Sequence, residues 1–140
     1  MWDEAPTLTR AGWIDQLAGA LRPFDCLGSA PCNLEELDGL LPPGQLLRPA
    51  AVLVGLVPRE SGWQVLLTRR TQDLPTHGGQ ISFPGGRIEP GDVDAVAGAL
   101  RETHEELGIP PSAVRPVGLL DVYGTISAFA VTPVVGIVDP

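Results

Sequence analysis

GGRIEPGDVDAVAGALRETHEELGI, residues 85–109, begins as a glycine turn and ends as an amphipathic helix. From Asp94 to Leu107 the pattern is helical, with Val93, Val96, Ala97, Leu100 and Leu107 on one side. Asp92 or Asp94 is the candidate N-cap, and Gly108 with Pro110-Pro111 stops the helix. At about 100° per residue, Glu102 and Glu106 lie about 40° apart and one turn along, with Glu105 beside them. Three carboxylates are therefore expected to converge opposite the apolar stripe, a spacing that destabilises a bare helix. A hard divalent cation reverses that penalty, since Mg²⁺ favours carboxylate oxygens. The plain alternative is a solvated acidic face. Arg101 sits four residues before Glu105, within pairing reach. Gly85-Gly86 bring bare backbone near the carboxylates, where a phosphate or a carbonyl-to-metal contact fits; an ordinary turn is the alternative.

Upstream, PAAVLVGLV (49–57) and WQVLLTRR (63–70) are β-rich runs joined by the turn PRESG, a hairpin signal. Residues 71–79 read as a polar loop and QISF (80–83) as a short strand. Downstream, VRPVGLLDVY (114–123) and AFAVTPVVGIV (128–138) are extended segments. Strands, one central helix and strands again give a mixed α/β (α+β) sandwich. Residues 1–47 differ in composition and read as a helical leader packed on a domain spanning 48–140. In the leader, Thr9 caps a helix carrying Trp13, Ile14, Leu17 and Leu21 on one face, ended by Pro23; LEELDGLL is a second helical candidate.

The chain has 140 residues, 44% of them hydrophobic and 19% charged, which suits one globular domain rather than a disordered chain. Nine arginines, no lysine and a formal charge of −8 supply no wide basic surface, so nucleic acid and anionic membrane are not expected partners. A phosphate-bearing small molecule stays open, because a metal or a few placed arginines offset the charge. No apolar run is long enough to span a bilayer. The acidic start, MWDEAPTLTR, is unlike a secretory or transit segment, so a cytoplasmic protein is expected. Cys26 and Cys32 read as reduced thiols rather than a disulfide framework.

Residues 85–109 resemble the Nudix box, G-x5-E-x7-R-E-U-x-E-E-x-G-U, with U aliphatic. Arg101, Glu102, Glu105, Glu106, Gly108 and Ile109 fall in place, with Thr103 at the first U. The first half departs by one extra residue. With Gly86 in the glycine role, the early acid role goes to Asp92 or to no residue. That insertion resembles the coenzyme A pyrophosphatase subgroup, whose upstream signature LLTRRTQDLPTHGGQISFPGG (66–86) follows closely, apart from Pro75 after Leu74. TISAFAVTPVVG (125–136) is similar to the same subgroup, and the likeness runs from about Leu47 to Val138.

The resemblance implies a Nudix fold, a mixed sheet packed between helices with the box as loop–helix–loop. It implies hydrolysis of coenzyme A to 3′,5′-ADP and 4′-phosphopantetheine with Mg²⁺ or Mn²⁺. Glu102 and Glu106 would hold metal, with Glu105 as third ligand or general base and the Gly86 carbonyl adding an oxygen. Arg101 would hold a carboxylate in place. Arg69 and Arg70 end a strand on opposite faces, so one of them reaches substrate, with Arg70 favoured by the signature. Gly85 lies in the same substrate loop. His77 meets the 3′-phosphate or adenine, or stabilises its loop. The rivals are a Nudix hydrolase for ADP-ribose or another nucleotide, and a Nudix fragment that binds without turnover. Family members continue past Val138, so Ala128–Val138 is expected to lie uncovered and the native polypeptide to be longer.

Overall fold

The computed structural model describes residues 10–69 and 79–140. Thr9, Arg70 and His77 therefore lie outside the described residues. In chain order the elements are helices α1 (Arg10–Ala20) and α2 (Leu34–Leu37), then strands β1 (Arg48–Arg59), β2 (Gly62–Leu66), β3 (Thr68–Arg69), β4 (Ile81–Ser82) and β5 (Gly85–Arg87). Helix α3 (Ala95–Leu107) follows, then β6 (Val114–Leu119), β7 (Tyr123–Gly124) and β8 (Phe129–Val138). The main sheet runs β2-β1-β8-β6, with β5 also on β1 and β7 also on β8; β3 and β4 form a separate ribbon. Only β1 and β8 run parallel among the described strand pairs, so the sheet is mixed.

The two long central strands are near-continuous apolar runs, as strands covered on both faces require. Alternation sends Ala51, Leu53 and Val57 of β1 to one face, where they cluster with Ala95 and Ala99 of α3 and Val134 of β8. Leu56 and Ile137 point the other way, toward Ile14 and Leu17 of α1. The sheet thus lies between α1 and α3, as expected of the sandwich.

The structure decides between the two candidate caps and corrects several other local expectations. Asp94, not Asp92, caps α3: its side chain accepts from the Ala97 amide at 2.8 Å. Val93 lies outside the buried stripe at 94% exposure. The fully buried face of α3 is instead Ala95, Gly98, Ala99 and Thr103, small residues that let the helix approach the sheet. Thr103 stands at an aliphatic position of the box, and its hydroxyl is satisfied by donating to the Ala99 carbonyl at 2.7 Å. The second leader helix shrinks to the single turn of α2, because Asp38 is extended and Gly39 has φ +80°.

VRPVGLLDVY is not one strand. It breaks between Leu119 and Tyr123, opposite Pro133 of β8. The Leu120 amide donates to the Pro133 carbonyl, but proline has no N–H to return the bond, so this pair is half made. The expected exposure of Ala128–Val138 is also not found. Strand β8 lies between β1 and β6, and Val134, Val135, Ile137 and Val138 are buried. Among the described residues no helix is long and apolar enough to cross a membrane.

Candidate active site

Strand β5 is held against β1 by the pairs Val52 with Gly85, Ala51 with Gly86 and Ala50 with Arg87. The two glycines serve different neighbours. A Cβ on Gly85 would run into the Ala51 carbonyl and lie 2.7 Å from the Val52 Cα, so glycine there permits strand approach. A Cβ on Gly86 would lie 2.9 Å from Oε1 of Glu102. Bare backbone at Gly86 thus makes the room in which the Glu102 carboxylate sits.

Arg101 organises that carboxylate. Its Nε and Nη2 donate to the two carboxylate oxygens of Asp92 at 2.9 and 3.0 Å, a bidentate pair. Nη2 also donates to the Arg87 carbonyl at 3.1 Å, tying α3 to β5. Nη1 is left to donate to Glu102 at 3.0 Å and to Glu105 at 3.3 Å. The Asp92 side chain is 5% exposed and also accepts from the Glu89 amide at 2.8 Å. The Arg101 guanidinium, with that amide, holds the Asp92 carboxyl below the usual carboxylate range. Arg101 in turn is raised, chiefly by its hydrogen bond to Asp92. Asp92, the residue to which the sequence left the early acid position if any takes it, is thus the acid paired with Arg101. The extra loop residue explains the change: the chain between Gly86 and α3 turns through Glu89–Asp92, bringing this shorter acid back to Arg101.

The expected convergence of three carboxylates takes a different form. Arg101 draws Glu102 and Glu105 to one guanidinium nitrogen, and among the described residues no three acidic, histidine or cysteine side chains are gathered to hold an ion. Like charges one turn apart repel, and a single arginine neutralises only part of the set. The donor types still suit Mg²⁺ or Mn²⁺, both of which take hard carboxylate and carbonyl oxygens. The space kept open by Gly86 places backbone beside Glu102. Glu105 is largely exposed, and Glu106 also faces outward on the last turn of α3.

Arg69 stands exposed at the end of β3, paired with Ile81 in the separate ribbon. Arg70 and His77 belong to the undescribed segment. Beside Gly85 and Gly86 opens a cavity of about 500 Å³, lined also by Phe83, Arg87, Thr125, Ser127 and Phe129. Sequence reasoning missed these residues as a group. The available signal was strand alternation, but the register between β1, β5 and β8 that brings them together is a long-range property.

The comparisons agree with this architecture. The NUDIX domain family model matches residues 46–133. The chain is 44% identical over 115 residues to proteins described as uncharacterized Nudix hydrolase NudL from Enterobacter sp. (strain 638) and from Escherichia coli (strain K12). Each alignment covers 74% of this chain and 59% of the relative. The chain therefore spans about three fifths of the length of those relatives. Among solved structures, the Nudix hydrolase RenU from M. smegmatis matches with TM-score 0.55 and 22% identity, covering 66% of this chain and 62% of that one. A C. elegans Ap4A hydrolase matches with TM-score 0.53 and 24% identity, covering 68% and 70%. At that identity the structures speak for the fold alone. With the box helix, its glycine loop and the family model coinciding on the same residues, the chain belongs to the Nudix family.

Proposed function

We propose that this protein is a Nudix hydrolase that cleaves the diphosphate of coenzyme A, or of its derivatives, to 3′,5′-ADP and 4′-phosphopantetheine. The observation that carries the substrate is the run LLTRRTQDLPTHGGQISFPGG (66–86), which follows the coenzyme A pyrophosphatase signature. The chemistry rests on Glu102, set beside Gly86 and held by Arg101. We place the protein in the cytoplasm, acting on a small molecule.

A diphosphate repels hydroxide, so the site must offset its charge and place a water in line. Glu102 and Glu106 would hold Mg²⁺ or Mn²⁺, with an oxygen from the Gly86 carbonyl. When bound, the ion supplies charge neutralisation and polarises the phosphorus. Glu105, exposed beside Arg101, takes the proton of the attacking water or serves as a third ligand. Arg101 is a positioning residue: anchored through Asp92, it fixes the Glu102 and Glu105 carboxylates. Arg70, with Arg69 and His77 nearby in sequence, would meet substrate phosphates.

A substrate panel with Mg²⁺, read by chromatography of phosphate products, tests the reading. Coenzyme A should give 3′,5′-ADP with a larger specificity constant than ADP-ribose gives its products. A larger constant for ADP-ribose removes the subgroup and keeps the family. No turnover of any nucleotide by the full-length protein points to a binding role.

A further inference from the structure

We infer that Gly98, a glycine inside the box helix, is a positioning residue for hydrolysis: its missing side chain makes the room in which Asp92 holds Arg101, and through Arg101 the carboxylates of Glu102 and Glu105. The inference rests on the reading that those glutamates serve hydrolysis, whichever nucleotide is the substrate.

Gly98 is the fourth residue of α3 and lies on its buried face. Glycine is the poorest helix former after proline, because it gives up the most backbone freedom on ordering. The backbone does not ask for it. Gly98 is not among the described glycines with positive φ, so its conformation suits any residue. The surroundings do ask for it. A Cβ on Gly98 would lie 3.1 Å from Oδ2 of Asp92, 3.6 Å from Cγ of the same residue and 3.5 Å from Cγ1 of Ile88. The nearest atoms thus belong to the segment that brings Asp92 back to α3, and the contact to Oδ2 is tighter than carbon and oxygen ordinarily accept.

The obstructing atom is the busier oxygen of the pair. Oδ2 accepts from the Glu89 amide at 2.8 Å and from Arg101 Nη2 at 3.0 Å, while Oδ1 accepts from Arg101 Nε at 2.9 Å. Asp92 has little freedom to step aside. Its side chain is buried, and its own amide donates to the Glu89 carbonyl at 2.9 Å, closing the turn from the other direction.

Helix geometry carries the effect to the glutamates. Side chains on a helix lean toward its N-terminus, so Arg101, three residues on, reaches back over the turn occupied by Gly98 to meet Asp92. The same guanidinium donates through Nη1 to Glu102 at 3.0 Å and to Glu105 at 3.3 Å. On its far side the Glu102 carboxylate sits where a Cβ on Gly86 would lie. Arg101 is therefore held between two carboxylates, Asp92 and Glu102, each admitted by a missing Cβ. Gly91 gives the contrast: in the same loop, its Cβ would meet open space.

Gly98→Ala in the full-length protein tests this. Turnover is measured on the nucleotide that the wild type cleaves fastest, and the Arg101 Nε–H resonance is followed by NMR. With KM within about twofold, kcat should fall roughly tenfold, less than the 10²-fold that a displacement of about 1 Å brings. The Nε–H resonance, slow to exchange while donated to a buried carboxylate, should shift or broaden. Gly91→Ala should leave both readouts unchanged. In Asp92→Ala the obstructing carboxylate is gone, so adding Gly98→Ala should lower turnover no further, a non-additivity that a glycine needed only for helix packing does not give. If Gly98→Ala alone does not fold, the Asp92→Ala/Gly98→Ala protein decides: it should fold and turn over as Asp92→Ala does. Unchanged kcat in Gly98→Ala, equal losses with and without the Asp92 carboxylate, or a double variant that unfolds where Asp92→Ala folds, each overturns the assignment. If the wild type cleaves no nucleotide while the resonance still moves in Gly98→Ala, the hold of Gly98 on the Asp92–Arg101 pair stands and the hydrolase reading falls.

Discussion

Arg101 and Asp92 show how single residues set up this site. An arginine among carboxylates fixes nothing if it is free to choose partners, and the bidentate pair removes that freedom. Asp92→Asn keeps the shape but sets an amide N–H₂ against a guanidinium, so both Glu102 and Glu105 lose a fixed partner. The same change has a pH signature. A carboxyl lowered on folding adds stability above its unfolded value, near about 3.9, and loses it as pH falls toward and through the lower folded value. The Tm of wild type should therefore exceed that of Asp92→Asn by a constant gap between about pH 5 and 8, and the gap should close below about pH 4. A gap that widens on acidification would contradict the pairing. Glu106→Gln, which removes charge at nearly constant size, should lower turnover by a factor on the order of 10² or more with the melting temperature preserved. Near-normal turnover of that variant at limiting Mg²⁺ would remove Glu106 from the metal assignment.

At the scale of elements, the box helix and the first hairpin were legible in the sequence because their signals are local. Period, cap and stop signals located α3, and a turn between two apolar runs located the β1–β2 hairpin. What failed to read depended on partners far along the chain. Val93 looked like part of an apolar stripe, yet lies before the first turn of α3 and faces solvent, while Gly98 and Thr103, unremarked by hydropathy, face the sheet. The break opposite Pro133 required knowing that β6 and β8 are neighbours. The Arg101–Glu105 pair was legible from its four-residue spacing, but the anchor that fixes Arg101 was left open, because Asp92 returns through a loop of unusual length. The adjacent glycines of β5 separate packing from chemistry. Gly85→Ala forces a methyl group into the β1 backbone and should cost about 1–3 kcal/mol or more of stability, read by denaturant unfolding. Gly86→Ala presses instead on Glu102 and should leave the fold largely intact while turnover falls roughly 10²-fold, the effect of displacing a reacting group by about 1 Å. The reverse pattern, with Gly85→Ala stable and Gly86→Ala fully active, would refute this division.

At the scale of the whole molecule, the leader and the sheet meet through a few buried contacts. Leu21 packs where a Cβ on Gly118 would lie 2.6 Å away, and Arg22 and Leu119 exchange backbone bonds at 2.9 Å. The tightest clasp is Asn33, 6% exposed, whose amide donates to the Gly124 carbonyl at 2.8 Å and accepts from the Gly124 amide at 2.7 Å. One side chain thus satisfies both backbone groups of a residue at the mouth of the Thr125–Ala128 turn. Asn33→Ala leaves those groups without partners in a buried place, which costs about 1–3 kcal/mol for each group left unsatisfied. The midpoint should fall by roughly 5 °C or more in a thermal scan. Because Gly124 leads directly into the turn closed by the Ala128 amide on the Thr125 carbonyl at 3.0 Å, where Ala128 has φ +67°, the loss should extend beyond stability. Hydrogen exchange of the Ala128 and Phe129 amides should accelerate in Asn33→Ala, while the α3 amides around Thr103 keep their protection. Uniform acceleration across both regions would mean that Asn33 supports the global fold and gives the turn no special hold.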